Sequence, residues 1–208
     1  MAEQTDFPGV ETVDFDYEPE SLNFYKGIRG ETHRISIVST KDIIRATTHF
    51  KEGKGYFLCI KGACCKSLGY PRNRFGAVVV HYRTDKSGEI QDKTKIDYDI
   101  KLWFFSDDKW KLLKENNKQF DLTKHDLKII TIEEKYQNLQ IQPYAGSIPE
   151  KVPGMREKVL KEVDTMGLKQ RMEQTIAKHL SAEEINTLLG IGTVENRPDD
   201  VDFADVLK

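Results

Sequence analysis

The chain has 208 residues, 38% hydrophobic and 32% charged, with a net charge of -2. That length holds one ordinary core plus a small appended element, and the composition is polar but globular. No apolar run approaches the ~20 residues of a membrane span, no signal peptide precedes the acidic start, and three cysteines make no disulfide framework, so a soluble, cytoplasmic protein in a reducing compartment is expected.

Residues 1–22 lack hydrophobic periodicity and hold seven carboxylates with no Lys or Arg, which reads as a flexible acidic arm. The segment 33–39 alternates Ile35 and Ile37 with Arg34 and Ser36, a strand pattern. A short strand follows at 56–60, opened by Gly53 and Gly55, and a third at 75–83 whose apolar centre predicts burial on both faces. Asp85-Lys-Ser-Gly88 predicts a turn. The return strand, 95–105, has the clearest period of two: Ile96, Tyr98, Ile100, Leu102 and Phe104 face the core, and Trp103 is expected on the polar face with Asp97, Asp99 and Lys101.

Ser106 caps a short helix that opens with Asp107 and Asp108 and carries Trp110 and Leu113. Two more strands are predicted near 126–132 and 136–141, joined by a turn at 133–135. Beyond Met155 the period becomes helical: Met155, Val159, Val163 and Met166 form one stripe, ended by Gly167, and Leu168, Met172, Ile176 and Leu180 form another. Ser181 and Glu184 match a capping box ahead of Ile185, Leu188 and Leu189. Five or six strands around one helix predict a mainly β fold, an oligonucleotide-binding (OB-type) β-barrel over 23–146, with a helical appendix over 147–192 and a tail over 193–208.

Charge points to the ligand. Between the acidic ends lie 30 bases and 22 acids, and from Lys26 to Arg74 eleven bases face only Glu31, Asp42 and Glu52, with aromatic residues interleaved. Rings that stack on bases and cations that follow phosphates are what a non-sequence-specific binder of single strands needs. The candidate rings are Tyr56, Phe57, Tyr82 and Trp103; the candidate phosphate contacts are Arg34, Arg45, Lys51, Lys54, Lys61, Lys66, Arg72 and Arg74.

Several stretches resemble the single-stranded DNA-binding, helix-destabilising replication proteins of tailed bacteriophages. They are His49-Phe-Lys-Glu-Gly-Lys-Gly-Tyr-Phe-Leu-Cys59, Cys64-Cys65, the runs 72–82 and 98–105 leading to Trp110, and Asp121–Ile129 ahead of Gln140-Ile-Gln-Pro143. The resemblance implies coating of single strands during replication, recombination or repair, and recruitment of partner proteins. The acidic arm departs from the family's basic arm, which drives cooperative coating. Family members often hold zinc with one His and three Cys, and His49, Cys59, Cys64 and Cys65 are the matching set here. A Cys-x-x-Cys knuckle is absent, and adjacent cysteines in an extended segment point apart, so the residues themselves favour buried small thiols and no metal is assigned.

The tail interleaves Asp199, Asp200, Asp202 and Asp205 with Val201, Phe203, Val206 and Leu207, a pattern suited to docking replication or recombination proteins. Three other functions compete. The pairs Asp97/Asp99 and Asp107/Asp108 raise a two-metal nuclease, but no further ligand or catalytic motif accompanies them, so no catalysis is expected. A protein-interaction adaptor in phage transcription or helicase loading would work through the helices and tail. RNA binding differs only in reading the 2′-hydroxyl.

Overall fold

The computed structural model describes residues 23–92, 95–132 and 139–191. The acidic arm, the turn at 133–135 and the tail with its partner-binding set lie outside these residues. In chain order the elements are β1 (Thr32–Ile37), β2 (Ile44–Lys51), β3 (Gly55–Leu58), α1 (Ala63–Leu68), β4 (Arg72–Tyr82), β5 (Tyr98–Ser106), α2 (Asp107–Gln119), β6 (Leu127–Thr131), β7 (Leu139–Pro143), α3 (Ile148–Lys151), α4 (Met155–Thr165), α5 (Leu168–Thr175) and α6 (Ala182–Leu189).

The fold is mixed α/β, built on a mostly antiparallel sheet of seven strands. β4 is its axis. One edge of β4 pairs with β5 along its length; the other is shared, with β2 against Arg72–Gly76 and β1 against Val79–His81. β1 continues to β6 and β6 to β7, while β2 carries β3. Among the described residues no ladder joins β5 to β7, so the sheet does not close into the expected barrel.

Both faces are buried along the middle of β4, as the β-branched run Val78-Val-Val80 dictates, and along the adjoining part of β5. On one face Phe75, Ala77, Val79, Trp103 and Phe105 pack against β1, β6, β7 and α2. On the other, Val78, Val80, Tyr82, Ile100 and Leu102 pack against Met155, Val159 and Val163 of α4 and Leu168 and Met172 of α5. The turn after β4 forms as expected: Asp85 Oδ1 accepts from the Ser87 and Glu89 backbone N–H groups, and Gly88 takes a φ of 85°. The capping box on α6 is also present.

The period-two reading of β5 fails at Trp103, which is 0% exposed. Its face is polar only at the strand's start, where Asp99 lies 3.5 Å from Lys101 and 3.8 Å from Arg83. Two residues further on the same face enters the core, and Tyr25 meets Trp103 edge-on at 5.8 Å. Trp103, Tyr82 (0% exposed) and Phe57 (1%) are core rings, unavailable for stacking on a base.

Tyr25 also packs on His81 and His33, whose rings are 4.8 Å apart. Burial, then the Lys101 charge, pushes His81 down to about 4. A histidine held neutral in the fold makes the unfolded chain bind more protons, so stability is lost as pH falls from 6.5 towards 4 and does not change with this group above that window. Thermal melts across that range should show the loss, and His81→Phe should remove about one proton from the slope.

Candidate nucleic-acid interface and metal centre

α3–α5 cover only part of the outer sheet face. They lie over the 76–82 stretch of β4 and the 100–104 stretch of β5, with Arg74 half-buried at the end of α5, leaving the end around Arg72 and Ser106 open. Two adjoining cavities of about 560 and 320 Å³ lie there and share Thr48, Tyr56 and Arg72. The first also takes in Asn73, Arg74, Phe104 and Lys109 and reaches round the end of the sheet to the inner-core residues Trp103, Phe105 and Leu139; the second takes in Phe50, Leu68 and Tyr70. Together they make one trough along the β2–β3 hairpin and the end of the β4–β5 ladder.

Three rings stand open in it: Phe50 is 57% exposed, Tyr56 39% and Tyr70 98%. Phe50 and Tyr56 are cross-strand partners with centroids 4.9 Å apart. Tyr70 projects between Gly69 and Pro71, two residues before the exposed Arg72. Arg74 is the organising group. Its guanidinium lies 4.1 Å from the Tyr56 ring centroid and 4.7 Å from that of Phe104, and its Nη1 donates to the Ile176 carbonyl at 2.6 Å, at the C-terminus of α5. Gly76 makes this packing fit, because a Cβ there would meet Phe104 at 2.9 Å and Met172 at 3.1 Å.

Of the sequence candidates, Tyr56, Arg72 and Arg74 come together in the trough. Arg34 does not. Its Nε donates to the buried Asp126 at 2.7 Å and its guanidinium covers Tyr144, inside a network that runs through Ser36 to Tyr82. Arg45 is exposed but registers with Phe75, on the opposite face from Arg72 and Arg74. Lys51 donates to the Leu188 carbonyl, Lys54 lies exposed in the β2–β3 turn, and Lys61 and Lys66 are exposed beside the cysteines. Phe50, Tyr70, Phe104 and Lys109 belong to the trough but were not singled out from the sequence. The signal for Phe50 and Tyr70 was their place among the bases between Lys26 and Arg74.

The expectation that the cysteines point apart is overturned. Cys64 and Cys65 lie in α1, not in an extended segment, and successive helical side chains diverge by only about 100°. The ligand atoms of His49, Cys59, Cys64 and Cys65 all lie within 4.8 Å of one another. Cys59 Sγ is 3.9 Å from Cys64 Sγ and 3.4 Å from Cys65 Sγ, and Cys65 Sγ is 3.6 Å from His49 Nε2. Among the described residues this is the one group of three or more His, Cys, Asp or Glu side chains that could hold a metal ion.

The turn into α1 is shaped for it. Lys61 takes a φ of 66°, and its N–H reaches Cys59 Sγ at 3.4 Å. Burial alone would raise the Cys59 thiol, but that N–H, the neighbouring thiols and the Lys61 charge together hold it below the usual thiol range. Cys65 is pushed up to about 11, first by its contact with Cys59 and then by burial. Burial lowers His49 and keeps its imidazole in the neutral, ligating form. Of the carboxylates weighed for a nuclease, Asp97 lies 4.0 Å from Lys95, Asp99 pairs with Lys101 and Arg83, and Asp107 accepts from Asn73.

Comparison of the chain with protein-family models, with curated proteins and with solved structures gave no match in any of the three.

Proposed function

We propose that the protein binds single-stranded DNA without sequence specificity, through base stacking and phosphate contacts in the trough, as a phage replication, recombination or repair protein. The observation that carries this reading is the juxtaposition of the exposed Phe50, Tyr56 and Tyr70 rings with Arg72 and the half-buried Arg74 at the open end of the outer sheet face. Exposed rings stack on any base, and the flanking cations offer phosphate contacts.

An OB-type barrel is the proposed ancestry of the sheet. β1 and β2 pair in succession along one edge of β4 and act as one long first strand, so the order runs β5, β4, β1/β2, β6, β7, with α2 between β5 and β6. That is a five-stranded Greek-key arrangement lacking its last ladder, and OB folds are themselves partly open. Their ligand face lies on the second and third strands and the loop after the first; β4, β5 and the segment 52–71 fill those positions here.

Zinc is the proposed ion of the His/Cys cluster. Tetrahedral zinc, with Zn–S about 2.3 Å and Zn–N about 2.0–2.1 Å, separates two sulfurs by about 3.8 Å and a sulfur from a nitrogen by about 3.6 Å. Three of the six ligand–ligand distances, at 3.4, 3.9 and 3.6 Å, are close to those edges, and all six are within 4.8 Å. His49, Cys59, Cys64 and Cys65 would hold it, and its contribution there is structural, fixing the hairpin and loop that carry the rings. The segment from Asp199 to Leu207 is proposed to recruit partner proteins.

A salt titration comparing single-stranded DNA, duplex DNA and RNA tests the reading. Single-stranded DNA should bind tightest, with affinity falling steeply as salt rises. Arg72→Gln should reduce the salt slope by about one unit. Arg74→Gln should lower the melting temperature as well, since Arg74 ties β4 to the end of α5. Equal affinity for duplex would contradict the reading.

A further inference from the structure

The third hydrophobic cluster is far smaller than the other two. Its buried members are Phe57, Cys64 and Ile185, three residues against thirteen and twelve in the sheet cores. It joins α1, of six residues, to α6, of eight, and both lie below the ~12–15 residues at which a helix is even marginal alone in water. Ile185 is 0% exposed and packs, with Leu188 and Leu189, on a cluster that includes all three thiols. Lys51 anchors the far end by donating to the Leu188 carbonyl. The link from α5 is strapped to β3: Leu58 N–H donates to the Lys178 carbonyl and Lys178 N–H to the Tyr56 carbonyl, both at 3.0 Å.

A cluster this small needs a staple to stay folded. We propose that α6 is the latch of the metal centre: it docks onto the ligand-bearing segment only when zinc is bound, and its docking in turn holds the zinc. The proposal rests on the reading of His49, Cys59, Cys64 and Cys65 as a zinc site. Coupling of this kind is reciprocal, so a change that undocks α6 weakens zinc binding by the factor that zinc loss weakens docking. The sheet cores contain none of these ligands and should not respond.

Hydrogen exchange on the full-length protein, zinc-loaded and chelator-stripped, tests this once zinc stoichiometry has been measured. Stripping should speed exchange across 182–189 at least ten-fold and leave 98–106 unchanged. Ile185→Ala, whose side chain is not a ligand, should lower zinc affinity at least ten-fold against a chromophoric chelator. Lys51→Met should weaken it in the same direction if Ile185→Ala also disturbs the sheet. Unchanged exchange in α6 after stripping, or zinc affinity within two-fold of wild type in both variants, overturns the latch while leaving the zinc site standing. A wild-type chain that takes up no zinc overturns both.

Discussion

Replacing Phe50, Tyr56 and Tyr70 together with alanine should lower affinity for an unstructured oligonucleotide by about a hundred-fold or more, since stacking contributes roughly 1–3 kcal/mol per base. The melting temperature should fall only slightly. Phe50 and Tyr70 are 57% and 98% exposed, so their rings contribute little to packing. Tyr56 covers Arg74, so a small part of the fold's stability goes with it. Fluorescence anisotropy titrations at fixed salt read the affinity, and a thermal melt reads the fold. Affinity within about three-fold of wild type would mean that the rings do not meet bases.

Trp103→Ala should behave in the opposite way, costing about 3–5 kcal/mol of stability, the range for truncating a buried aromatic. Trp103 sits at the centre of the inner core, 4.6 Å from Phe105 and edge-on to Tyr25. Its indole N–H finds no acceptor among the described residues, so Trp103→Phe should cost much less. Denaturant unfolding of both variants checks this. If Trp103→Ala melted like wild type and lost only binding, the indole would belong to the interface and the assignment of the sheet's faces would be wrong.

These two expectations mark how far the sequence could be read. The regional surplus of base over acid and its mixing with rings pointed to the stretch that lines much of the trough, and Tyr56, Arg72 and Arg74, which meet there, were named individually. The helices after Met155 were legible because their apolar period, the stop at Gly167 and the capping box at Ser181 are local signals, but the second stripe was carried too far: α5 ends at Thr175, and Leu180 packs in the third cluster instead. What failed was non-local. β2 escaped because burial along it runs through Thr48 and His49 together and breaks the alternation. Trp103 was misassigned because one face of β5 passes from solvent to core along its length, and only the packing of α2, β6 and β7 decides where. Arg34 was indistinguishable from a phosphate contact until Asp126, far away in sequence, was found beside it. The cysteines looked unsuited to a metal because α1 is too short to announce itself by period. Once that turn is helical, the ligands converge.

On the proposed function, unpaired DNA lies in the trough between the hairpin and the open end of β4. Photocrosslinking with an iodouracil-substituted oligonucleotide, followed by peptide mapping, tests it most directly. Adducts should fall on the peptides carrying Phe50, Tyr56 and Tyr70, and excess unlabelled single strand should compete them away. Adducts confined to the outer faces of α4 and α5, with the hairpin and the Tyr70 loop unmodified, would contradict the account.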